Sequence, residues 1–172
     1  MVRSLLTSWA VTLAAMLAIL HAGAEAEAGS STACNLYEGN DPSGTTITLT
    51  TGGTWYQWVS TSVGVTQGEC TASSSTDRIT VNRTGTYLVA FGTSFSGSTN
   101  EEIDANVHID GSPQAACQLE QKLGTAGDVS RGAMVCLLFV RSGQYLDARF
   151  KSVNNSKSVS IKHASFSVVA LP

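Results

Sequence analysis

Asp104, Asn106, His108 and Asp110 alternate with apolar residues over 103–110, and this is the densest set of coordinating side chains in the sequence. Alternation places all four on one side of a strand. Asp104, His108 and Asp110 are therefore the candidate ligands for a hard cation such as Ca²⁺, which gathers roughly six to eight oxygens. Same-face neighbours on a strand stand roughly 7 Å apart, so a loop would have to complete the shell. The plainer reading is a solvated outer face, with no metal and no other cofactor.

Nucleophilic chemistry has one approximate match. A serine hydrolase presents its nucleophile on a strand-to-helix elbow of the form Gly-x-Ser-x-Gly. Gly92-Thr93-Ser94-Phe95-Ser96 lacks the second glycine, and no helical pattern follows it. His108 and His163 are the nearest candidate bases, but histidines on strand faces are usually solvated or satisfied. Glu101, Glu102 and Asp104 could be imagined as a glycosidase pair. Adjacent carboxylates on a loop are more often solvated, and no second partner stands at the required separation. Trp55, Tyr56 and Trp58 could stack on sugar rings, although in a small domain at least one of them is expected in the core. No enzyme is expected.

Asn82-Arg83-Thr84 and Asn154-Asn155-Ser156 fit the N-glycosylation pattern, which matters only on a eukaryotic secretory route. Four cysteines, Cys34, Cys70, Cys117 and Cys136, contain no Cys-x-x-Cys pair, which disfavours structural zinc. Two disulfides are the natural reading in an oxidising compartment, and three connectivities are open.

That compartment is indicated by the N-terminus. Arg3 precedes an apolar run from Leu5 to Leu20, and small residues follow at Ala22, Gly23, Ala24, Ala26 and Ala28. Residues 1–28 read as a cleaved signal peptide and predict a secreted chain. The run is short for a membrane span and is interrupted by Thr7, Ser8 and Thr12, so no membrane association is expected after cleavage. Of the 172 residues, 13 are acidic and 10 are Lys or Arg, for a formal net charge of −3. This balance carries no basic footprint for nucleic acid or for an anionic membrane.

The elements that must position these groups are strands. Residues 29–44 are turn-rich and read as an N-terminal arm. From Thr45 onward the apolar residues recur with period two, so 45–172 reads as one all-β domain. Candidate strands lie at 46–50, 55–59, 79–81, 87–95, 103–110, 115–121, 133–140, 144–151 and 158–171. A phase change near His163 predicts a β-bulge. Three strands have one polar face, whereas 133–140 is apolar on both. One sheet is therefore expected to be covered on both sides, and a second copy of the chain is the economical cover.

Gly85-Thr86-Tyr87-Leu88-Val89-Ala90-Phe91 resembles the Gly-x-Tyr strand of the tumour necrosis factor and complement C-one-q jelly rolls. Ile103 to Gly111 resembles the next strand and its turn, Leu137 to Gly143 the family's apolar strand, and Ala164 to Leu171 its terminal strand. The resemblance covers roughly 45–172 and rests on ordered pattern over many strands. It implies an antiparallel two-sheet jelly roll of about ten strands. It also implies a homotrimer formed through the inner sheet, and binding of a protein receptor or a glycan without catalysis. A collagen-like repeat does not occur in the sequence, so a secreted head without a stalk is expected. The alternative is an adhesin or surface-coat head that binds carbohydrate.

Within such a sandwich Tyr87, Val89 and Phe91 should fill the core. Leu88, Ala90, Val135, Leu137, Phe139, Val169 and Leu171 should line the trimer axis. Cys117 is expected to share an inward face with Ala115 and Leu119, and Cys136 to sit in a strand buried on both sides. A Cys117–Cys136 bridge across the sandwich is then feasible, and Cys34 is expected to pair with Cys70.

Overall fold

The computed structural model describes residues 31–39, 44–124, 128–154 and 157–172. The expected signal peptide, 1–28, lies outside them. Twelve strands make up the described chain: β1 Ala33–Glu38, β2 Thr45–Leu49, β3 Tyr56–Gln57, β4 Ser62–Gln67, β5 Cys70–Ser73, β6 Arg78–Val81, β7 Gly85–Ser96, β8 Glu102–Ile109, β9 Ser112–Lys122, β10 Val129–Val140, β11 Tyr145–Ser152 and β12 Lys157–Ala170. They form two antiparallel six-stranded sheets. The first runs β10-β7-β12-β1-β4 with β2 also on β12, and the second runs β5-β6-β11-β8-β9 with β3 also on β11. The sandwich is the expected TNF-like jelly roll, with twelve strands among the described residues in place of about ten.

The core follows from alternation. Tyr87, Val89 and Phe91 of β7 are buried, as are Phe166 and Val168 of β12, which registers Phe166 against Phe91 and Val168 against Val89. Phe91 is the centre of the aromatic packing. Its ring lies 5.7 Å from Trp58, 5.9 Å from Phe150 and 6.1 Å from Phe166, all tilted or edge-on. These are the offsets aromatic quadrupoles favour. The phase change near His163 is a register shift between Ile161 and His163 against β7.

Both disulfides join one sheet to the other. Cys34 of β1 pairs with Cys70 of β5, and Cys117 of β9 with Cys136 of β10, so each open side of the sandwich is stapled.

Three expectations are corrected. The segment read as an arm contributes β1, an internal strand between β12 and β4, in which Cys34, Leu36 and Glu38 are buried. Its polar members Asn35 and Glu38 have fixed partners that a count of apolar residues does not register. Asn35 Nδ2 donates to Ser165 and Ser167 Oγ, and Glu38 Oε2 accepts from Trp58 Nε1 at 3.3 Å. The aromatic segment 55–59 holds only two strand residues; Trp58 turns into the core and Trp55 out of it. Ala115 is exposed, because a bulge between Asn106 and His108 shifts the register of β9. Within the single chain, strand β10 is covered on its core side. Met134, Cys136, Leu138 and Val140 face the core, while Val135, Leu137 and Phe139 stand out of it.

Candidate functional site

The outer face of the first sheet is built from the odd-numbered positions of β10 and their cross-strand partners. Leu137 lies opposite Leu88 of β7, and Leu88 lies opposite Val169 of β12, so one apolar row crosses three strands. The next row is Val135, Ala90 and Ser167. Val135, Leu137 and Phe139 are 65%, 57% and 63% exposed. Leu88 and Val169 are each 37% exposed, and Ala90 and Leu171 are half-buried. Scattered apolar residues are normal on a surface, but a contiguous patch is not. Beside Phe139 a groove of about 410 Å³ is lined by Ile109, Asp110, Gln114, Arg141 and Gln144.

The outer face of the second sheet departs most from the sequence reading. Asp104, Asn106 and His108 are not solvated; they are 6%, 1% and 1% exposed. Their cover comes from β11, whose register sets Lys151 against Asp104, Arg149 against Asn106 and Asp147 against His108. Lys151 Nζ lies 2.7 Å from Asp104 Oδ2 and 4.6 Å from the Trp55 ring centre. Trp55 meets His108 edge-on at 5.2 Å. Arg149 closes a two-pronged bond on Asp147, Nε to Oδ1 at 2.7 Å and Nη2 to Oδ2 at 2.9 Å. Arg78 approaches the same carboxylate at 3.8 Å and lies over the Tyr145 ring. The buried carboxylates are thus paired, as the cost of burying charge demands.

Two groups are titrationally displaced by this layer. Burial lowers the His108 pKa, opposed by its bond to the Gly111 carbonyl oxygen. The hydrogen bond to Asp147 raises that of Arg149.

The proposed calcium set is not brought together as such. His108 Nδ1 is engaged with Gly111 O at 2.9 Å, and Asp110 accepts from Gln144 Nε2 and the Tyr145 amide. Asp104 instead shares its face with Glu102 and stands directly opposite Glu120 of β9, the three offering oxygens within 4.8 Å of one another. Glu101, just before β8, is fully buried and its Oε2 accepts from the Ser98 amide, whereas Glu102 is half-buried. Ser94 stays within β7 and, among the described residues, no helix follows it, so it does not sit on a strand-to-helix elbow; its hydroxyl is buried without a hydrogen-bond partner. His163 is exposed at the bulge. Asn82 is exposed in the turn after β6, and Asn154 is exposed, but Asn155 and Ser156 lie outside the described residues. Among the described residues no helix is long and apolar enough to cross a membrane.

The sequence reading passed over Asp147, Arg149 and Lys151 as a set. Their alternation with Leu146, Ala148 and Phe150 places them on one face, and that face, laid antiparallel on 104–108, pairs opposite charges.

No protein-family model matches the chain, and no curated protein matches it in sequence. Solved structures do match. The chain is similar to the Eiger TNF structure from S. frugiperda (TM-score 0.58, 16% identity, 83% of this chain and 94% of that one covered). It is also similar to murine APRIL (TM-score 0.55, 12% identity, 83% and 99% covered). At these identities the likeness establishes a TNF-like jelly-roll fold. The complement side of the resemblance rests on the sequence pattern alone.

Proposed function

We propose that this TNF-like jelly roll is an exported, non-catalytic recognition head that assembles as a homotrimer and binds a protein receptor or a glycan. The observation that carries the reading is the outer face of the first sheet, where Val135, Leu137 and Phe139 stand more than half exposed beside Leu88 and Val169. Each such side chain gains roughly 1.5–3 kcal/mol when fully buried, so the face favours association with a second apolar surface. The family resemblance supports another copy of the chain as that surface. In such an assembly the groove between Phe139, Arg141 and Asp110 would border the subunit contact, a position suited to a polar ligand. The two inter-sheet disulfides support export, because such bonds persist outside the reducing cytosol.

The test is multi-angle light scattering on the secreted protein, with intact mass to locate its N-terminus. A trimer lacking residues 1 to about 28 is expected. A monomer across micromolar concentrations would remove the self-association reading, and a product that retains Met1 would remove cleavage.

A further inference from the structure

We infer that Glu102, Asp104 and Glu120 form a binding site for a divalent cation of calcium's size. The inference is independent of the oligomeric state, since all three residues lie on the second sheet.

The site is built by register. Glu102 and Asp104 are two apart on β8 and share its outer face, while Glu120 is the direct cross-strand partner of Asp104. Like charges directly opposite on an antiparallel pair destabilise it unless something stands between them. Oxygens bound to one Ca²⁺ at 2.3–2.6 Å can be at most about 5 Å apart. The three carboxylates meet that limit, with one oxygen of each inside 4.8 Å.

A second observation comes from Asp104 itself. The residue is 6% exposed, and its Oδ1 is buried with no hydrogen-bond partner. Oδ2 is held by Lys151, which approaches from β11 on the side of β8 away from β9. Oδ1 is the oxygen that Lys151 does not engage, on a carboxylate that lies within the 4.8 Å cluster with Glu102 and Glu120. A buried carboxylate oxygen without a donor costs free energy, and a cation satisfies it. Lys151 neutralises one of the three negative charges, and its ammonium is also held over Trp55. Glu102 and Glu120 have no side-chain ion pair among the described residues; Lys122, opposite Glu102, is exposed and makes none. Two negative charges therefore remain for a divalent ion. Glu102 is half-buried and Glu120 exposed, so water has access to complete the shell.

With three carboxylates and one adjacent ammonium, affinity should fall in the extracellular-module range, on the order of 10⁻⁴–10⁻³ M. The experiment titrates the purified protein with calcium chloride, read by calorimetry, and with Tb³⁺, read by luminescence excited through tryptophan. Trp55 is close enough to Asp104, through Lys151, to sensitise a bound lanthanide. The expected result is saturable calcium binding in that range and terbium emission that calcium displaces. Glu102→Gln and Glu120→Gln should each weaken binding about tenfold and the double variant should abolish it. Both positions have solvent access, so the metal-free melting temperature should hold. Glu69→Gln, on the exposed Arg83 ion pair, should bind like wild type. No saturable signal in the wild-type protein, or a double variant that binds as tightly as wild type, would overturn the site.

Discussion

Leu137 of β10 and Leu88 of β7 face one another across the ladder, and both side chains point away from the core, 57% and 37% exposed. A strand pair whose inward residues already fill the sandwich has no structural need for leucines outside. An aspartate at position 137 would place a charge in the middle of this row. If the row is a subunit contact, the unpaired charge should cost about 3–5 kcal/mol on association and separate the subunits. Leu137→Asp is expected to elute and scatter as a folded monomer, while Gln118→Asp, on an exposed position of β9, leaves assembly unchanged. A Leu137→Asp protein that remains trimeric would place the contact elsewhere.

The two disulfides close loops with sequence separations of 36 and 19. Chain entropy then assigns them stabilisations of about 4 and about 3 kcal/mol. Cys34→Ala/Cys70→Ala and Cys117→Ala/Cys136→Ala should each lower the unfolding free energy by amounts of that order in urea titrations. The second pair holds β10, which carries the exposed apolar row, against β9. Its removal should therefore also weaken self-association, whereas removal of the first should not.

How far residue order alone specifies this structure depends on what each strand buries. Alternation names the core of β8 and β11, because Ile103 and Leu146 differ sharply from their polar neighbours. It fails for β4, whose positions are nearly all exposed and so leave no period to detect. It fails differently for β8. Asp104, Asn106 and His108 obey the pattern of a solvated face, yet are buried, because opposite charges on β11 and the Trp55 ring lie over them. Periodicity reports which side of a strand is polar. It does not report whether that side meets water or another polar layer, and here the candidate site consists of such a layer.

Asp147 is fully buried and depends on Arg149, whose side chain is 19% exposed. Arg149→Met should strand that carboxylate, leaving only the longer approach of Arg78, and lower stability by about 3–5 kcal/mol. Arg149→Lys keeps the charge without the planar fork and should lose less. Equal losses in the two variants, measured by denaturant unfolding, would show that the two-pronged geometry contributes nothing beyond charge.

His108 makes stability depend on pH in a defined direction. The Gly111 carbonyl can only accept, so Nδ1 carries the hydrogen in the neutral ring and Nε2 is left as a buried lone pair without a partner. Protonation would put a charge into this layer beside Arg149. Burial, the largest influence, accordingly lowers the folded-state pKa; Arg149 acts the same way, while the Gly111 bond and Asp147 oppose them. The unfolded chain takes up its proton near a pH of about 6.5, whereas the folded chain resists until lower pH. Between those two values the unfolded state binds more protons, so stability falls as the pH drops below about 6.5 and is fully present above it. A His108→Gln variant removes this titration. Its unfolding free energy should therefore differ from wild type by a constant amount above that pH and by a shrinking or reversed amount below it. Parallel pH profiles for the two proteins between about pH 7.5 and 5 would show that His108 titrates alike in the folded and unfolded states, contrary to the buried geometry described.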